Sequence, residues 1–136
     1  MELELEKLAT FFRFEDLRIY NKSMDYIDFV YGKVNKFPNG ESNALASRFL
    51  NAAQAIALNI SEGSAQNKSQ FIYYLKIAQS SVRECVVHTS LAQKQSLFTD
   101  IEVEESRNYL MEMTKMIGAL IGSLQRSAGI SSDGMD

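Results

Sequence analysis

Tryptophan is absent from this 136-residue chain, and cysteine, proline and histidine occur once each. The single cysteine, Cys85, rules out an internal disulfide framework and suits a reducing compartment. Metal chemistry lacks ligands as well. Cys85 and His88 share a helical face next to Glu84, but structural zinc takes four N/S ligands and a di-iron bundle takes two Glu-x-x-His motifs, neither of which is present. A buried thiol and a histidine at the edge of a packed face are expected instead, with no cofactor. No nucleophile elbow, phosphate-cradling glycine loop or HExxH motif occurs either. The expectation is a protein that is not an enzyme.

Structure breakers are few. One proline and seven glycines fit poorly with an all-β domain, which needs a turn signal about every ten residues. No apolar run approaches the roughly 18 residues of a membrane span. Met1-Glu2-Leu3-Glu4-Leu5-Glu6-Lys7 carries acid where a signal peptide carries base. A cytoplasmic protein without a membrane partner is therefore expected. An excess of basic charge is also missing: 14 basic and 17 acidic residues give a net charge of −3. That weighs against a dedicated nucleic-acid binder, though a local basic stripe remains compatible with it.

The chain does have helical spacing. Leu17, Tyr20, Met24, Ile27, Tyr31 and Val34 recur at 3 and 4 residues, predicting a first helix over 16–36 that Phe37-Pro38-Asn39-Gly40 ends. Leu45, Phe49, Ala52, Ile56, Asn59 and Gly63 predict a second over 42–62, with Gly63 as its C-terminal cap. Phe71, Leu75, Ala78, Val82, Cys85, Thr89 and Ala92 predict a third over 69–96. Thr99 and Glu102 have capping-box spacing and start a fourth, which runs to about 126 on Val103, Leu110, Met113, Ile117, Leu120 and Leu124. Short loops between long helices give an all-α fold, an antiparallel up-down four-helix bundle. It occupies residues 14–126, after an N-terminal extension over 1–13 and before a polar tail over 127–136 expected to be disordered. In the extension Leu3 and Leu5 alternate like a strand while Leu5, Leu8 and Phe12 step like a helix; a neighbouring subunit is one place for it to pack.

Polar residues on packed faces are the candidates for function. Asn59 falls on the second helix's seam, and Ser81, Glu84 and His88 form a row beside the third's. Buried polar groups are costly unless paired, and a paired one can fix register or oligomeric state. Folding the second and third helices about residue 66 brings Arg48 level with Glu84, an expected contact. Glu62, near a helix C-terminus where the dipole disfavours a carboxylate, should have a donor near Ser69 or Gln70. Tyr109, level with His88, would complete a ligand pocket with Glu84. Glu102, Glu104, Glu105 and Glu112 read as dipole-complementing or solvated acids on the fourth helix. Lys68, Lys76 and Arg83 are the candidate nucleic-acid contacts, with Tyr73 and Tyr74 able to stack on bases.

Several stretches taken together carry a resemblance: Phe14-Glu15-Asp16-Leu17 with Tyr20, Phe37-Pro38, Ala44-Leu45, Ala52-Ala53 with Ile56, Asn59-Ile60-Ser61-Glu62-Gly63, and Leu75-x-x-Ala78-x-x-Ser81-x-x-Glu84. Over about residues 14 to 125 the chain resembles the bacterial four-helix-bundle family typified by the protein encoded in intervening sequences of large-subunit ribosomal RNA genes. That family is similar in turn to the accessory proteins of diversity-generating retroelements. The resemblance implies a homo-oligomer, commonly a ring of five, without catalysis. In the retroelement relatives it also implies a basic surface that binds RNA or DNA and a reverse-transcriptase partner. This chain departs from the pattern at Arg48, where glutamine is common, at Asn51, where arginine is common, and at Ser80-Ser81-Val82, where Gly-Ser-Leu is common.

Overall fold

Helix boundaries fall where capping chemistry puts them. A computed structural model describes residues 12–39 and 41–129; positions 1–11 of the extension and 130–136 of the tail lie outside these residues. A 3₁₀ turn, Arg13–Asp16, leads through extended Leu17 into α1 (Arg18–Val34), α2 (Glu41–Ser64), α3 (Lys68–Lys94) and α4 (Asp100–Ala128). The capping box forms as expected: Thr99 Oγ1 accepts from the Glu102 N–H at 3.1 Å, and Glu102 Oε1 accepts from the Thr99 N–H at 2.9 Å. Asn67 caps α3, its Oδ1 accepting from the Gln70 N–H at 2.9 Å. α4 continues to Ala128 and ends on left-handed Gly129 (φ 68°), so the tail begins later than position 127.

Each helix packs on its neighbours in sequence, and α1 also packs on α4. Along each packed pair, the partner's residue number falls as the first residue's number rises. Lys22 meets Glu112 at 2.5 Å and Lys33 meets Glu102 at 3.4 Å; Gly63 lies against Tyr74, and Phe49 against His88. Adjacent helices are therefore antiparallel in an all-α four-helix bundle.

The core rows of α2, α3 and α4 include most of the expected residues, but that of α1 does not. The buried row is Ile19, Ser23, Tyr26, Val30 and Val34, whereas Met24 and Tyr31 are 40% and 56% exposed. α1 carries two apolar rows, and the inner one passes through a serine whose hydroxyl is satisfied locally by the Tyr20 carbonyl at 2.6 Å.

Buried hydroxyls tie three helices together. Thr89 Oγ1 donates to the Cys85 carbonyl at 2.8 Å and lies 2.8 Å from Ser106 Oγ, which lies 2.8 Å from the Tyr26 hydroxyl. Each hydroxyl has one proton. Since Thr89 donates to Cys85, Ser106 donates to Thr89 and Tyr26 donates to Ser106. The chain thus runs in one direction from α1 through α4 to α3. Tyr26, Thr89 and Ser106 are all fully buried, so satisfaction of these groups fixes the relative heights of the three helices. Asn59, expected in that role, is only half-buried, and its Nδ2 donates to the Ala55 carbonyl of its own helix at 2.8 Å.

Candidate functional site

α2 is almost free of charge: residues 42–61 contain one charged side chain, Arg48. Small and uncharged residues on its outer side (Asn51, Ala52, Ala55) leave room beside α3 and open a groove of about 460 Å³. Ser81, Glu84, Val87 and His88 form the opposite wall. Three sequence candidates, Arg48, Ser81 and Glu84, therefore share one site. Arg48 and Glu84 make no ion pair. The Gly63–Tyr74 and Phe49–His88 contacts both centre between residues 68 and 69, beyond the expected fold point, so His88 is the group level with Arg48.

His88 is the unusual member. Its ring tilts over Phe49 at 5.6 Å, and its Nδ1 is buried without a hydrogen-bond partner. Burial holds its pKa below the ordinary histidine value; Glu84 opposes that shift and Arg48 adds to it. At neutral pH the imidazole is thus uncharged, with one nitrogen awaiting a donor or acceptor. Cys85, one turn away, faces the core rather than the groove. Burial, then the negative charge of Glu84, pushes its thiol up to about 12, which makes it a poor nucleophile.

The remaining candidates lie elsewhere. Gly63 is inside α2 rather than a cap after it, and no positive φ is found there. A Cβ at this position would lie 2.6 Å from Tyr74 Cβ and 3.0 Å from Phe71 Cδ1; glycine is needed for helix approach, not for a turn. Glu62 is exposed, and neither Ser69 nor Gln70 donates to it among the described residues; the turn takes Asn67 as its cap instead. Tyr109 packs on Tyr26 and Phe29 at 5.5 and 5.4 Å, across the bundle from His88, so no pocket joins them. Lys68 contacts Ser127, while Arg83 donates to Ser80 at 3.1 Å and Lys76 is half-buried further along α3. Among the described residues no cluster of His, Cys, Asp or Glu could hold a metal ion, and no helix is long and apolar enough to cross a membrane.

The groove thus sets one cation, Arg48, and one anion, Glu84, beside an imidazole and a hydroxyl, among small and apolar side chains. The model of the 23S rRNA-intervening sequence protein family matches residues 15–119, from the 3₁₀ turn into α4, and includes both groove walls. The chain belongs to that family. No match is found among curated proteins. For a 23S rRNA-intervening sequence protein, a family with no known catalytic role, the α2–α3 groove is the concave feature that brings Arg48, Ser81, Glu84 and His88 together. Sequence reasoning placed His88 in a row with Ser81 and Glu84 but paired it with Tyr109 rather than Arg48. The available signal was the single histidine one turn beyond Glu84 on the same face.

Proposed function

We propose that this protein is a non-catalytic, self-assembling helical module, with the α2–α3 groove as a contact between copies in a cytoplasmic homo-oligomer. One observation carries this reading: a concave face whose two charged side chains, Arg48 and Glu84, are of opposite sign holds a buried, unpartnered imidazole nitrogen beside exposed apolar side chains, Val87 at 56% and Leu91 at 38%. Arginine and apolar side chains are common at such interfaces, and an orphaned buried nitrogen costs free energy until a second molecule fills the site. A groove filled by a different surface of the next copy makes a heterologous contact, which forms a ring where the rotation closes; the family resemblance implies five members. Light scattering at micromolar concentration should report a multimer. Val87→Glu, at an exposed position that leaves the core untouched, should shift it to monomer. A wild-type monomer under those conditions would exclude the reading.

A second reading, an accessory protein that binds RNA or DNA beside a protein partner such as a reverse transcriptase, draws on a different observation. Residues 68–94 and 106–128 together hold seven basic and two acidic side chains in a chain of net charge −3. One of those acids, Glu112, is already paired with Lys22. Lys76, Arg83 and Lys94 recur at helical spacing along the outer side of α3 with exposed Tyr73. Phosphate-driven binding should be strong at about 50 mM salt and fall steeply by about 200 mM. Lack of binding to mixed RNA or DNA at the lower salt removes this reading and leaves the first intact.

A further inference from the structure

α1 uses only one of its two apolar rows inside the bundle. In the second row, Tyr20, Met24 and Ile27 line the side that α1 shares with α2, opposite Ser61, Ala57 and Gln54. Tyr31 continues this row one turn beyond Ile27 and is 56% exposed. None of the described residues hydrogen-bonds its hydroxyl. Taken in antiparallel order, the α1–α2 pairs centre between residues 40 and 41, which sets Tyr31 level with Leu50. The α2–α3 contacts set Leu50 level with Val87, beside His88. Tyr31 and His88 therefore stand at the same height on two different sides of the bundle.

We propose that the outer apolar row of α1 in one copy enters the α2–α3 groove of the next, with the Tyr31 hydroxyl hydrogen-bonded to the His88 imidazole. This pairing rests on the self-assembly proposed above and adds the surface that fills the groove. Rotation about an axis along the bundle leaves each residue at its own height, so level groups are the ones that meet in a ring. Each helix packs on its sequence neighbours and α1 on α4, so the α1–α2 and α2–α3 sides are adjacent and face about 90° apart. Neighbours in rings of four to six members stand about 90–120° apart. The chemistry matches as well as the height. A neutral imidazole has one acceptor nitrogen and a phenol has one proton to give. The Tyr31 ring is level with exposed Val87, and Met24 and Ile27 are level with Ala55 and Ser81 in the groove. Arg48, which makes no ion pair with Glu84, gains an acidic partner in exposed Asp28, between Met24 and Tyr31 on the outside of α1. α2 is the corner between the two sides and so faces the ring axis. A helix with one charged residue over 42–61 suits that position, since like charges repel where copies converge.

Two substitutions and their mixture test the pairing by analytical ultracentrifugation of the full chain. Tyr31→Glu spoils the row and leaves the groove; Val87→Glu spoils the groove and leaves the row. Both positions are 56% exposed, so the core is untouched. Each variant alone should sediment as a monomer. Mixed in equal amounts they should form a one-to-one dimer and nothing larger, joined by the one intact row and the one intact groove left between them. Tyr31→Phe keeps the ring and loses the hydroxyl; it should weaken assembly about two- to tenfold. Tyr31→Glu that assembles like the wild type, a mixture that stays monomeric, or undiminished assembly of Tyr31→Phe would overturn the pairing, while a monomeric Val87→Glu still supports the groove as a contact. A wild-type monomer, or a Val87→Glu multimer, would overturn the assembly reading and the pairing with it.

Discussion

Gly63→Ala should destabilise the bundle by about 1–3 kcal/mol, the usual cost of overpacking a well-filled interior. At the few degrees per kcal/mol typical of a domain this size, Tm should fall by roughly 4–12 °C. The sign is the informative part, because replacing glycine by alanine inside a helix ordinarily gains up to about 1 kcal/mol. At Gly63 the added methyl meets Tyr74 Cβ at 2.6 Å. That atom is fixed to the α3 backbone, so relief requires the helices to separate and the packing of Ile60 and Ile72 to loosen. Gly63→Val should cost more still. Gly118→Ala is the control, since a Cβ there meets nothing within 4 Å; it should leave Tm unchanged or raise it. Parallel shifts in the two alanine variants would show that α2 and α3 are not held at this separation in solution.

The second large effect lies at Tyr26. Truncation to alanine should cost about 3–5 kcal/mol, as for other fully buried aromatic side chains. The finer variants test the direction of the hydroxyl chain. Tyr26→Phe removes only the first donor and should cost about 1 kcal/mol. Ser106→Ala removes the acceptor 2.8 Å from the buried Tyr26 hydroxyl and should cost about 1–3 kcal/mol. Burial already drives the Tyr26 pKa well above its ordinary value, so ionisation cannot relieve the loss. Combining Tyr26→Phe with Ser106→Ala should cost less than the sum, because the orphaned hydroxyl is gone. Urea denaturation of the four proteins gives this coupling directly. Strict additivity would mean that Tyr26 and Ser106 do not share a hydrogen bond.

Local chemistry was legible in the sequence; the choice between sides of a helix was less so. Thr99 and Glu102 announced their helix start because both capping partners lie within four residues. The α3 row was readable because its apolar residues occupy a single face. α1 misled because it has two such faces and the more regular one points outward. Folding the chain about its loops gave each residue's height along the bundle but not the face it occupies. Arg48, Ser81 and Glu84 line one groove, whereas Tyr109 and His88 lie on different sides. Gly63 was read as a stop because a glycine near a helix end commonly is one; its real constraint, which lies on the next helix and leaves no local signal, is the approach of Tyr74. Ser106 left a visible gap between Val103 and Leu110 in the α4 row, a signal that a polar residue held a core position.

The directed hydroxyl chain also bears on how α1 is oriented about its own axis. Its two apolar rows are offset by one residue, a rotation of about 100°. By hydrophobicity alone, burying Tyr20, Met24, Ile27 and Tyr31 would compete with burying Ile19, Tyr26 and Val30. Only the second choice brings the Tyr26 proton to Ser106. One hydrogen bond thereby breaks a rotational degeneracy, and it decides which apolar row is left outside.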